Sequence, residues 1–129
     1  MVTSNADKWF SRYIRIRDAW DDGYCRCCTC GKIQLPKEAD CGHFVKRQHM
    51  ATRFSEINAA AQCGKCNRFE QGRNEDFERY LIKRHGIDKV NMLKLPQTRK
   101  MTKYDIDYLA VYYKQKATEL SRGKGIELW

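Results

Sequence analysis

Four cysteines in two pairs limit what this chain can fold into more than any other feature: Cys27-x-x-Cys30 followed by Gly31, and Cys63-x-x-Cys66. Two such pairs can offer four thiolates to one tetrahedral zinc at about 2.3 Å each, a closed site that staples a fold and leaves no open position for chemistry. The chain between the pairs must then fold back on itself. Cys25 and Cys28 also make a C-x-x-C, so the register is open. Gly31 favours Cys27 with Cys30, because glycine eases the sharp turn around a metal. A redox pair or unrelated buried thiols are the competing readings. Seven cysteines cannot all pair as disulfides, and a reducing compartment disfavours structural disulfides in any case.

At 129 residues, 42% hydrophobic and 32% charged, the chain suits one small α+β domain whose modest core gains from a metal staple. Lys and Arg number 25 against 16 Asp and Glu, a formal charge of +9, which favours polyanionic partners through counterion release. No apolar run approaches the roughly 20 residues of a membrane span, and the start lacks the apolar stretch of a signal peptide. A cytoplasmic location without a membrane partner is expected.

Along the chain, Trp9, Phe10, Tyr13, Ile16 and Trp20 recur at helical spacing behind a Ser4/Asp7 capping box, predicting a scaffold helix to about Trp20. Cys25 to Gly31 reads as a loop or knuckle. Asp40 to Val45 and Ile57 to Cys63 read as short strands, and Lys46 to Glu56 as a basic loop between them. A helix is expected from Cys66 to Gly72. Asn74 can cap another with Phe77, Tyr80 and Leu81 buried and Gly86 as a left-handed stop. A short amphipathic piece carries Val90, Leu93 and Leu95. The clearest helix is last, with Thr102 and Asp105 as its capping pair and Ile106, Leu109, Tyr113, Ala117 and Leu120 along one stripe.

Asp40-Cys41-Gly42-His43 joins a hard oxygen ligand to a titratable base, spaced so that both are expected to reach one cavity. Gly42 would let the backbone approach something large, with a phosphodiester as a candidate. Hydrolysing that bond needs an in-line water, a base and a cation. His43 suits the base, being largely neutral at cellular pH. Asp40 suits Mg²⁺ or Mn²⁺, which take oxygen ligands. Asn67, next to Cys66, could complete that site, and Glu70, one helical turn on, could join it directly or through a water. Asn58 would orient His43 through its other ring nitrogen or brace the loop. Cys41 shares a strand face with His43 and either packs or borders the site.

The run Asp40-x-Gly42-His43-Phe44, Arg53-Phe54, Asn58, Gln62-Cys63-x-x-Cys66-Asn67 and Gly72 resembles the NinG/Rap family of phage recombination nucleases. The likeness extends by pattern over most of the chain. Asp40-x-x-His43 and Cys66-Asn67-x-x-Glu70 are also similar to phage endonuclease VII, a Holliday-junction resolvase. The resemblance implies a zinc-stapled ββα-metal (HNH-like) core over residues 25–72, between an N-terminal helix (1–24) and C-terminal helices (73–129). It further implies one catalytic Mg²⁺ and cleavage of branched recombination intermediates, Holliday junctions or D-loops, in a phage-infected or lysogenic bacterium. His43 would be the general base, Asp40 and Asn67 the metal ligands, and Cys27, Cys30, Cys63 and Cys66 the zinc ligands. Two positions depart from the HNH signature, Asn67 standing for its last His and Gly42 for the ligand before the base.

Lys46, Arg47 and Arg53 flank this site, and Lys65, Arg68 and Arg73 surround the second cysteine pair, as phosphate contacts that position DNA without reading it. Cutting two strands of a junction needs two active sites, so a homodimer is expected. The alternatives are a general or restriction-type HNH endonuclease and a non-catalytic zinc module that binds nucleic acid.

Overall fold

The computed structural model describes residues 4–129. In chain order the elements are α1 (Asn5–Arg17), β1 (Cys25–Arg26), β2 (Ile33–Gln34), β3 (Asp40–His43), α2 (Met50–Arg53), β4 (Ala59–Gln62), α3 (Asn74–His85), α4 (Ile87–Lys94) and α5 (Lys103–Lys124). The result is a mixed α+β fold with two small antiparallel sheets, β1 with β2 and β3 with β4. Among the described residues no helix is long and apolar enough to cross a membrane.

Both helical capping boxes form. The Ser4 hydroxyl accepts from the Asp7 N–H at 3.1 Å while the Asp7 carboxylate accepts from the Ser4 N–H at 2.9 Å, and Thr102 with Asp105 repeats the arrangement. α1 buries Ala6, Phe10, Tyr13, Ile14 and Ile16 against α5, where Tyr113 meets Phe10 edge-on at 5.0 Å. α1 stops at Arg17, short of the Trp20 expected, because Ala19 bridges to Cys25 and the Lys124 ammonium donates to the carbonyls of Ile16, Arg17 and Ala19. A second cluster joins Phe44 and Ala60 of the β3–β4 region to Phe77, Leu81, Val90 and Leu93 of α3 and α4.

Other differences are local. The knuckle read as a loop is flanked by the β1–β2 hairpin, and the basic loop after β3 winds into α2 and a 3-10 turn, Glu56–Asn58. In place of a helix from Cys66 to Gly72 there is a five-residue π-helical segment, Lys65–Phe69. Positive φ angles at Gln71 (54°), Gly72 (78°) and Arg73 (47°) then end it and re-aim the chain into α3. Gly86 has φ 92° and ψ 154°, so it separates α3 from α4 through an extended glycine conformation instead of a left-handed helical one.

Candidate functional site

The Sγ atoms of Cys27, Cys30, Cys63 and Cys66 all lie within 4.8 Å of one another, with Cys30 and Cys63 3.6 Å apart. Four cysteines this close could hold a metal such as zinc. β1 ends just before Cys27, and Gly31, at φ 81°, turns the chain so that its N–H donates to the Cys27 carbonyl at 3.0 Å. Cys63 follows β4 directly, and Cys66 lies in the π-helical segment. Cys25 is instead buried with Ala19, Ala39 and Ala61, which settles the register. Burial alone would raise the Cys27 thiol, but the backbone N–H groups of Cys63, Cys30 and Thr29 and the Thr29 hydroxyl bring it down to about 6. Partial desolvation, together with the neighbouring Cys27, Cys63 and Cys66 sulfurs, pushes the exposed Cys30 up to about 12. Among the described residues this is the only such gathering of three or more His, Cys, Asp or Glu.

His43 ends β3 opposite Ala59. Its Nε2 lies 3.0 Å from the Arg53 carbonyl. A carbonyl only accepts, so Nε2 carries the proton and Nδ1 keeps its lone pair. Burial lowers the pKa of the ring below 6.5, against the pull of that carbonyl and with help from the Arg47 charge. The neutral form of the ring therefore predominates at pH 7. Asn58 does not hold His43; it braces the loop. Its Oδ1 accepts from the Val45 N–H at 2.8 Å, and its Nδ2 donates to the carbonyls of Val45 (2.9 Å) and Thr52 (3.2 Å).

Asp40 begins the same strand three residues earlier, and alternation turns it to the opposite face from His43. The expectation that both side chains open directly into one cavity is thereby corrected. Asp40 accepts from the Asn67 Nδ2 at 2.9 Å, and it is Asn67 that lines a cavity with His43 and Cys41. Both Asp40 oxygens also accept from Arg68, at 2.9 and 2.7 Å. Glu70 lies apart from the cavity, 3.7 Å from both Lys65 and Arg73. Gly42 does not make room for a ligand: a Cβ there would meet the Phe77 ring at 2.8 Å and the Gln62 side chain, so the space serves packing.

The cavity, about 570 Å³, is lined by Lys8, Arg12 and Arg15 of α1 and by Lys46 and Arg47 beside His43. Asp7, whose side-chain carboxylate is the one in that lining among the described residues, is already held by Arg53. Arg15 is fixed by the carbonyls of Ser11, Pro36 and Ala39, and Arg12 lies over the Trp9 and Trp129 rings at 4.9 and 5.8 Å. Such a lining attracts an anion. A family model described as the bacteriophage lambda NinG protein matches residues 2–123. The chain belongs to the NinG family. No curated protein and no solved structure matches it.

Membership of the NinG family points to a phage protein with a recombination-related role. Within this NinG-family chain the basic residues divide differently from expectation. Lys46 and Arg47 do line the cavity. Arg53 is only 5% exposed, its guanidinium bound by Asp7 at 2.7 and 2.6 Å, so burial removes it from the phosphate contacts. Lys65, Arg68 and Arg73 lie outside the cavity beside Glu70, Asp40 and Asp76 respectively. The cations that sequence reasoning missed are those of α1. Their signal was present as Lys8, Arg12 and Arg15 at i, i+4 and i+7, one stripe of a helix read only for its apolar face.

Proposed function

We propose that this chain is a metal-dependent endonuclease that hydrolyses a phosphodiester of branched DNA in the His43 cavity, with β3, β4 and the Lys65–Phe69 segment as an HNH-like core. One observation carries the reading: a neutral imidazole, its Nε2 proton committed to the Arg53 carbonyl, stands in a cavity lined by five cations. Nδ1 is left to take the proton of a water as its oxygen bonds to phosphorus; the opposite P–O bond breaks and the departing oxygen gains a proton from solvent. Lys8, Arg12, Lys46 and Arg47 hold the substrate phosphates.

The donor set near His43 fits Mg²⁺ or Mn²⁺. Asp40 and Asn67 stand side by side, the Asn67 Nδ2 donating to Asp40 at 2.9 Å, so that amide would turn its oxygen to an ion bound there, and Asp40 already attracts a cation, the exposed Arg68 guanidinium. Asp40 and Asn67 would hold the ion, and when bound it would offset charge on the phosphate oxygens. The four-cysteine cluster would hold a structural zinc.

Arg68 on both Asp40 oxygens favours a second reading, a zinc module that binds nucleic acid without cutting it. Wild type and His43→Ala, incubated with Mg²⁺ and a four-way junction, a flap or a linear duplex, separate the two. Junction products from wild type alone support the proposal. Equal products from both proteins, or none from either, reject catalysis by His43, and equal rates on all three substrates reject branch selectivity.

A further inference from the structure

A second basic groove, about 780 Å³, lies against the cysteine knuckle and shares no lining residue with the His43 cavity. α3 contributes Arg79, Lys83 and Arg84 to it, the knuckle strand contributes Arg26, and α1 ends into it with Arg17. Two carboxylates, Asp18 and Asp76, face these five cations. Asp18 is taken by Arg17 and Arg84 at 2.8 Å each, and Asp76 by Arg79 and Arg73 at 2.9 and 2.7 Å. Arg26 and Lys83 are exposed and have no acidic partner among the described residues.

The groove is therefore a positive strip that its own acids do not neutralise. Arg79 and Lys83 are one helical turn apart on one face of α3, a spacing of about 6 Å along the axis that suits successive contacts along a phosphate backbone. Trp20, 47% exposed at the rim, offers a flat apolar surface beside those cations. Neither the rim nor the charges take part in holding His43.

Resting on the nuclease reading above, we infer that this groove binds the phosphate backbone of a second duplex arm while the first arm lies in the His43 cavity. A protein with two separate backbone sites gains affinity for branched DNA through effective concentration, without reading sequence. A linear duplex lying in one site lacks the second arm that would fill the other.

The test uses the full chain in EDTA, so that cleavage plays no part. Binding of a four-way junction and of a 12-base-pair duplex is measured by fluorescence anisotropy across a salt series for wild type and for Arg79→Ala/Lys83→Ala, two exposed positions on α3. The double variant is expected to bind the junction at least tenfold more weakly. The slope of log K against log salt should fall by about 2, roughly 0.9 for each phosphate that the variant leaves unneutralised. Its affinity for the short duplex should stay within about threefold. Unchanged junction affinity and slope overturn the second groove and leave the His43 reading intact. Failure of wild type to bind either DNA overturns both. A polyglutamate peptide that binds wild type more tightly than the junction does, and loses that binding in the variant, overturns the DNA assignment in favour of an acidic protein partner.

Discussion

The main-chain carbonyl of Arg53 accepts from His43 at 3.0 Å while the side chain of the same residue is clamped by Asp7 of α1 at 2.7 and 2.6 Å. One residue thus ties the tautomer of the candidate base to an ion pair buried between α1 and α2. Asn58 secures the other side of that loop, so the orientation of the imidazole rests on residues far apart in the chain.

Breaking the clamp should cost stability and function together. Asp7→Asn leaves the Arg53 guanidinium buried without its anion, a loss of about 3–5 kcal/mol. Burial opposes ionisation of Asp7, but the hydrogen bonds from Arg53 and Ser4 win and hold its carboxyl below the ordinary value. A depressed folded pKa stabilises above the unfolded value of about 3.9, and that stability is lost as pH falls through the folded one. Urea unfolding at pH 7 and pH 3 checks this. Equal stability of wild type and variant at pH 7 would dismiss the clamp.

Activity should rise with pH to a plateau reached before neutrality. The base works unprotonated, and burial lowers the His43 pKa below 6.5, so the acid limb of kcat/KM lies below that value. His43→Ala should lose at least about a hundredfold in kcat. A limb with its midpoint above 7 would assign the limiting group elsewhere.

The cysteine cluster should bind about one zinc per chain by elemental analysis. Cys63→Ala/Cys66→Ala is expected to lose the metal and the cooperative unfolding transition together. A folded, metal-free double variant would show that the four sulfurs do not staple the fold.

Gly42→Ala should destabilise by about 1–3 kcal/mol, because the new methyl group would press on the Phe77 ring and the Gln62 side chain. Thermal unfolding measures it. An unchanged midpoint together with weakened DNA binding would restore Gly42 as a point of ligand approach.

Lys8→Ala/Arg12→Ala should weaken DNA binding and reduce its salt slope by about 2, at little cost in stability, since both side chains line the cavity from the outer stripe of α1. Anisotropy and urea unfolding on the same sample check the two parts. An unaltered slope would exclude α1 from phosphate binding.

What the amino-acid order determined by itself was local. The two C-x-x-C pairs with Gly31 selected the four cysteines that gather, the Ser4/Asp7 and Thr102/Asp105 boxes selected the helix starts, and apolar periodicity marked the faces of α1 and α5, because each signal is complete within a few residues of chain. Folding in three dimensions decided which nitrogen of His43 keeps its lone pair, that Arg53 is buried, that Asp40 meets the cavity only through its hydrogen bond with Asn67, and that the polar stripe of α1 lines it. These are pairings between residues 10 to 46 positions apart, set by which surfaces α1 and the β3–β4 hairpin cover on each other. No local pattern of charge or period encodes a partner at that separation.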